Sequence, residues 1–143
     1  MHNYDKLAYE IIDRINDYNI PIDIVKIAKL FNVFIEKLKE CDLDKSISNE
    51  SKYDDNGKLT ISLNTFTPLE SQRYYVSLEI SKYICNKNHL NDYEKLARCI
   101  LVPKYILDYL IMKKDITSPF DLAKNFQVEY GIINERLKEL NWI

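Results

Sequence analysis

Three short stretches of this chain announce helix starts, and together they constrain the fold more than any other feature. Thr67-Pro68-Leu69-Glu70 offers a capping hydroxyl, a proline at the first helical position and a glutamate three residues after the cap. Asn91-Asp92-Tyr93-Glu94 repeats the logic with acids, and Ser118-Pro119-Phe120-Asp121 repeats it again. The first signature predicts a helix to about Cys85, with Val76, Ile80, Tyr83 and Ile84 as its buried stripe. The second predicts a helix to about Leu101, broken by Pro103. A short helix follows from Tyr105 to Met112. The third signature opens a helix carrying Leu122, Ala123 and Phe126, and a last helix runs from about Glu129.

Upstream, Tyr4, Leu7, Ala8, Ile11, Ile12 and Ile15 recur at helical spacing. Pro21 suits the start of a second helix, striped by Ile24, Ile27, Ala28 and Phe31, with Asn32 as a left-handed stop. Val33 to Leu38 turns β-like. Asn56-Gly57 is a hairpin turn, followed by the alternation of Leu59, Ile61 and Leu63. The strand before that turn is placed from Ile47 to Tyr53. The predicted order is α-α-β-β-β-α-α-α-α-α. That is an α+β protein with a small, three-stranded, mostly antiparallel sheet packed on helices. No repeat or linker divides the chain, so residues 1–143 are expected to form one domain, with a core over 1–103 and a helical extension over 104–143.

Composition removes several function classes. The chain has 143 residues, 46% apolar and 29% charged, enough for one hydrophobic core. Only two glycines are present, too few for a phosphate-cradling loop. Net charge is −2, and segment 104–143 carries six Lys/Arg against six Asp/Glu. The C-terminal helices invite a helix-turn-helix reading, but a basic face is missing by count, so direct nucleic-acid binding is not expected. No apolar run reaches the roughly 18–20 residues of a membrane span, and the N-terminal stretch lacks the apolar core of a secretory signal. The cysteines Cys41, Cys85 and Cys99 form no CxxC pair, which points to reduced thiols and a cytoplasmic location. Cys85 and His89 lie four apart, with Asp92 and Glu94 beyond. They make an improvised metal site at best; a buried thiol, a loop imidazole and two first-turn acids are the simpler reading. Tyr74, Tyr75, Tyr105 and Tyr109 are candidates for an aromatic surface.

The stretches RYYVSLEISKYI (73–84) and DYEKLARCILVP (92–103) resemble the ImmA/IrrE family of zinc metallopeptidases. Gln72-Arg73-Tyr74 fits the family's Gln-Arg-Phe, Glu79-Ile80 fits the Glu-Leu of its HExxH helix, and Tyr83-Ile84 fits the pair after the second histidine. Ala97, Leu101 and Pro103 fit its second helix, and the flanks on both sides agree. The resemblance implies a zincin-like minimal metallopeptidase fold with C-terminal helices.

The departure falls on the chemistry. Zinc in such a helix is gripped by two histidines four residues apart, and the glutamate between them polarises the metal-bound water. Here those histidine positions hold Leu78 and Lys82. Glu79 keeps the general-base position, and the third-ligand role falls to Asp92 or Glu94. Leucine cannot ligate zinc, and a protonated lysine repels it, so no metal, cofactor or catalytic residue is expected. Lys82 is expected to stand in for the metal charge, pairing with Glu79 and with Asp92 or Glu94. The resemblance then implies a pseudoenzyme that binds a protein partner, a helix-turn-helix repressor or a host defence protein, through the former substrate groove. Arg73, Tyr74, Tyr75, Glu79 and Lys82 are its candidate lining. An antirepressor and a phage-encoded inhibitor of host immunity both fit. The rival expectation is an active peptidase with a rebuilt metal site. Oligomeric state stays open.

Overall fold

Asn3 opens the first helix by accepting from the Lys6 amide at 3.0 Å, and left-handed Asn16 closes it. In the computed structural model, residues 3–38 and 48–143 are described. His2, Cys41 and the start of the predicted strand at Ile47 lie outside them. Helix α1 (Tyr4–Ile15) buries Tyr4, Ala8, Ile11 and Ile12. Helix α2 (Ile24–Leu30) does not begin at Pro21 as expected. The Ile20–Pro21 peptide is cis, and the helix starts three residues after Pro21, at Ile24, with Asp23 as its cap. There one carboxylate oxygen accepts from both the Val25 and Lys26 amides, satisfying two donors that a proline leaves open. Asn32 is left-handed, as its position predicts.

Strands β1 (Phe34–Lys37), β2 (Glu50–Tyr53) and β3 (Leu59–Leu63) form one sheet in the order β1-β3-β2. The β2–β3 pair is an antiparallel hairpin, with Tyr53 opposite Leu59 and Glu50 opposite Ser62. Its turn is built by Asp54, whose carboxylate accepts from the Asn56 and Lys58 amides at 2.9 and 2.8 Å. Gly57 sits at φ 79°, where a side chain is strained. Strand β1 instead runs parallel to β3, with Phe34 opposite Thr60. The sheet is therefore mixed rather than mostly antiparallel. The hairpin claims one edge of β3, and β1, arriving from α2, takes the other in the same direction as β3. Central β3 buries Leu59, Ile61 and Leu63, while the edge strands are largely exposed.

Helix α3 (Leu69–Lys87) is the longest, at 19 residues. It begins after Pro68; Thr67, the expected cap, instead donates its hydroxyl to the Asn64 carbonyl at 2.7 Å. α3 buries residues on more than one side: Val76, Ile80 and Ile84, but also Ser77, Ser81 and Cys85. The serines let α4 (Tyr93–Leu101) approach closely, and the Ser77 hydroxyl donates to the Ala97 carbonyl. Helices α5 (Lys104–Met112), α6 (Pro119–Phe126) and α7 (Tyr130–Glu139) complete the chain. One hydrophobic cluster takes side chains from α1 through α7, with Leu107, Phe126, Ile133 and Leu137 packed alongside the residues before Pro103. Buried Arg136 ties α7 back to Asp5 of α1 and to the Val102 carbonyl. Among the described residues no helix is long and apolar enough to cross a membrane.

Candidate functional site

On α3, Tyr75, Leu78, Glu79 and Lys82 follow i, i+3, i+4, i+7 spacing and so share a face. Glu79 is 8% exposed. The Lys82 ammonium donates to Glu79 Oε1 at 3.1 Å and lies 5.2 Å from the ring centroid of Tyr93, the first residue of α4. The hydrogen bond to Glu79 raises the Lys82 ammonium above its ordinary value, against the opposing effect of burial. Strand β2 forms the other wall. The Ser51 and Tyr75 hydroxyls share a hydrogen bond of 2.8 Å, joining β2 to α3. Burial and then the negative charge of Glu79 raise the Tyr53 phenol. In Tyr75 burial is the larger cause, and Glu79 adds to it. The result is a patch of surface between an edge strand and α3, centred on one ion pair and bordered by Tyr53, Tyr75 and Tyr93.

Other predicted site residues are elsewhere. Arg73 does not belong to this surface. It is buried, and its guanidinium donates to the carbonyls of Ile22 (2.9 Å), Gln127 (3.3 Å) and Phe126 (3.4 Å). Desolvation lowers its pKa, with Asp23 and Glu70 pulling the other way. Arg73 is thus a brace between α3, the segment before α2 and the end of α6. Tyr74 turns toward α4; burial raises its phenol first, and the charge of Glu94 adds to that. Asp92 and Glu94 do not pair with Lys82 among the described residues. The Asp92 carboxylate accepts from the Lys95 amide as the cap of α4, and Glu94 is an exposed first-turn acid. A capping carboxylate is held by its own helix, which keeps it from reaching across. Leu78 is half-buried.

The donor set does not fit zinc. Leu78 and Lys82 supply no ligand atom, and Glu79 alone remains on that face. Cys85 is buried, with its thiol raised chiefly by desolvation, whereas His89 is exposed in a left-handed conformation beyond the end of α3. Among the described residues no three His, Cys, Asp or Glu side chains cluster so as to hold a metal ion. The four-tyrosine surface also divides: Tyr105 packs edge-on against Tyr9, and Tyr105 and Tyr109 border a separate hollow with Tyr18.

Sequence reasoning passed over Ser51, Tyr53 and Tyr93 as parts of the site. Strand alternation puts Ser51 and Tyr53 on one face of β2, and that signal was present, but nothing local says the face looks at α3.

The ion pair makes a direct prediction. Lys82→Met is expected to lower unfolding free energy by about 1 kcal/mol, because it strips the partner from a mostly buried carboxylate. Glu79→Gln in the Lys82→Met background recovers part of that loss in urea denaturation. The ammonium is held above 10.5, so its contribution is complete below pH 10.5 and disappears as pH rises through the higher folded value. Equal stability of wild type and Lys82→Met at pH 7 would show that the pair contributes nothing.

Comparisons with protein-family models, curated proteins and solved structures find no match to this chain.

Proposed function

We propose that this chain is a catalytically inactive, metallopeptidase-like protein that binds a protein partner and regulates it by sequestration. The partner is a helix-turn-helix repressor or a host defence protein, met in the cytoplasm, and the chain belongs to a phage or other mobile element. The observation that carries the reading is the Lys82 ammonium seated on Glu79. An organic cation occupies the place where the resemblance calls for a divalent ion, so the glutamate has no activated water to serve. The order of two helices, a small sheet ending in β3, and then α3 and α4 agrees with the zincin-like fold that the resemblance implies. The surface beside the exposed edge strand β2 offers the backbone and side-chain groups that an extended segment needs.

The test uses the untagged full chain. Zinc titrated into it by calorimetry is expected to give no stoichiometric binding. A helix-turn-helix repressor from the same genetic element is expected to co-elute with the chain and to remain full length with zinc present. Zinc-dependent fragments of the repressor would instead establish an active peptidase with a rebuilt metal site.

A further inference from the structure

The Glu79 carboxylate is only half used. Oε1 accepts from Lys82, whereas Oε2 takes no hydrogen bond among the described residues. The Glu79 side chain is 11% exposed, but that of Lys82 is 37% exposed. The lysine therefore has open water beside it and a flexible stem on which to leave. Tyr93 already faces the cation at 5.2 Å, and Tyr75, pinned by Ser51, flanks the same carboxylate on α3. An acid held among phenol rings is a cation site, and at present the chain's own lysine fills it.

Lysine is a poor match for this site. Its ammonium is a compact point donor and meets one oxygen. A guanidinium presents two parallel N–H groups that would engage both carboxylate oxygens, and its flat face suits stacking on tyrosine rings. Swapping one cation for another leaves the charge on Glu79 balanced, while Lys82 gains full hydration. An incoming carboxylate fares worse, since Lys82 is already neutralised and Glu79 Oε2 would repel it.

We propose that Glu79 is the recognition point for an arginine side chain of the protein partner, with Lys82 an internal placeholder that swings out as the arginine enters. The inference rests on reading the surface around Glu79 as the partner-binding face, and it names the chemistry of what docks there.

The test titrates the peptides acetyl-Gly-Arg-Gly-amide, acetyl-Gly-Lys-Gly-amide and acetyl-Gly-Asp-Gly-amide into the full chain, following tyrosine ring signals by NMR. The arginine peptide is expected to bind best. Lys82→Met is expected to bind it about tenfold more tightly, as when a competitor that fills a site nine-tenths of the time is removed. Glu79→Gln is expected to lose the binding. In the wild-type chain, saturating arginine peptide should raise the acetylation of Lys82 by an amine-reactive reagent, read by mass spectrometry. This readout stands even if Glu79→Gln fails to fold. Preference for the aspartate peptide, arginine binding that survives Glu79→Gln, an unchanged or weaker affinity in Lys82→Met, or no binding at all overturns the proposal. Because the peptides probe the site without the whole partner, their failure alongside intact repressor capture removes the arginine and leaves sequestration standing.

Discussion

Arg136→Ala is expected to lower unfolding free energy by about 3–5 kcal/mol, the cost of breaking a buried charge cluster by removing one member. Arg136 is fully buried. It donates to the Val102 carbonyl at 2.9 Å, to Glu139 Oε2 at 3.1 Å and to Asp5 Oδ1 at 2.7 Å. Glu139 also accepts from Arg98 of α4. One guanidinium thus gathers α1, the end of α4 and α7. Burial would lower its pKa, but the Cys99 thiolate, formed only at the alkaline pH where the arginine itself titrates, and the Asp5 and Glu139 carboxylates outweigh that, and the net shift is upward. The neighbouring Cys99 thiol is pushed up to about 12, chiefly by desolvation, so it stays neutral and leaves the cluster's charge to the carboxylates. At about 2–4 °C per kcal/mol for a chain near this size, the melting temperature is expected to fall by roughly 10 °C. Arg136→Lys keeps the charge but not the fork of donors, and is expected to recover less than half of the loss. A fall below about 1 kcal/mol for Arg136→Ala would mean that the cluster forms without holding the helices together.

Arg73→Ala is the second large effect, expected at about 2–4 kcal/mol because it takes the guanidinium donors from two buried carbonyls and one part-buried carbonyl. The guanidinium is the shared donor for the carbonyls of Ile22, Phe126 and Gln127. Unlike Arg136, it has no ion pair among the described residues; Asp23 and Glu70 act on it through their charge. Its loss should therefore be largely independent of salt. A measurement of both denaturation and partner binding separates its roles. Stability is expected to fall, and the affinity of the folded fraction for its partner to stay unchanged, since the Arg73 guanidinium stands apart from the Glu79 surface. A binding defect without a stability defect would return Arg73 to the groove.

These two arginines mark where reading along the chain stops working. Helix starts are decided within four residues, so the stretches around Asp92 and Ser118 revealed them locally. The alternation of Leu59, Ile61 and Leu63 likewise carried the burial of β3. What local pattern could not settle was what each face meets. α3 reads as weakly amphipathic because it buries residues on several sides, so Arg73, Ser77, Glu79 and Ser81 sit inside despite their polarity. Arg73 matched a motif flank and looked like groove lining, yet its partners are 51 to 54 residues away. The pairing of Lys82 with Glu79 was legible because it needs only one helical turn. Its extension to Asp92 or Glu94 was not, because whether a carboxylate caps its own helix or reaches a neighbour depends on how α3 and α4 pack. The parallel course of β1 was hidden for the same reason: strand direction follows from the connection through space.

The mixed sheet has a kinetic corollary. The β2–β3 hairpin closes across the Asp54–Lys58 turn, a contact that a chain explores within microseconds. Phe34 must find Thr60 across 26 residues, and the entropy of closing that larger loop delays the reward. The hairpin is therefore the natural template, and β1 registers on it only once α2 has been drawn in. A chain caught between those two events carries a bare strand edge, the moment at which this small protein is most exposed to joining another copy of itself.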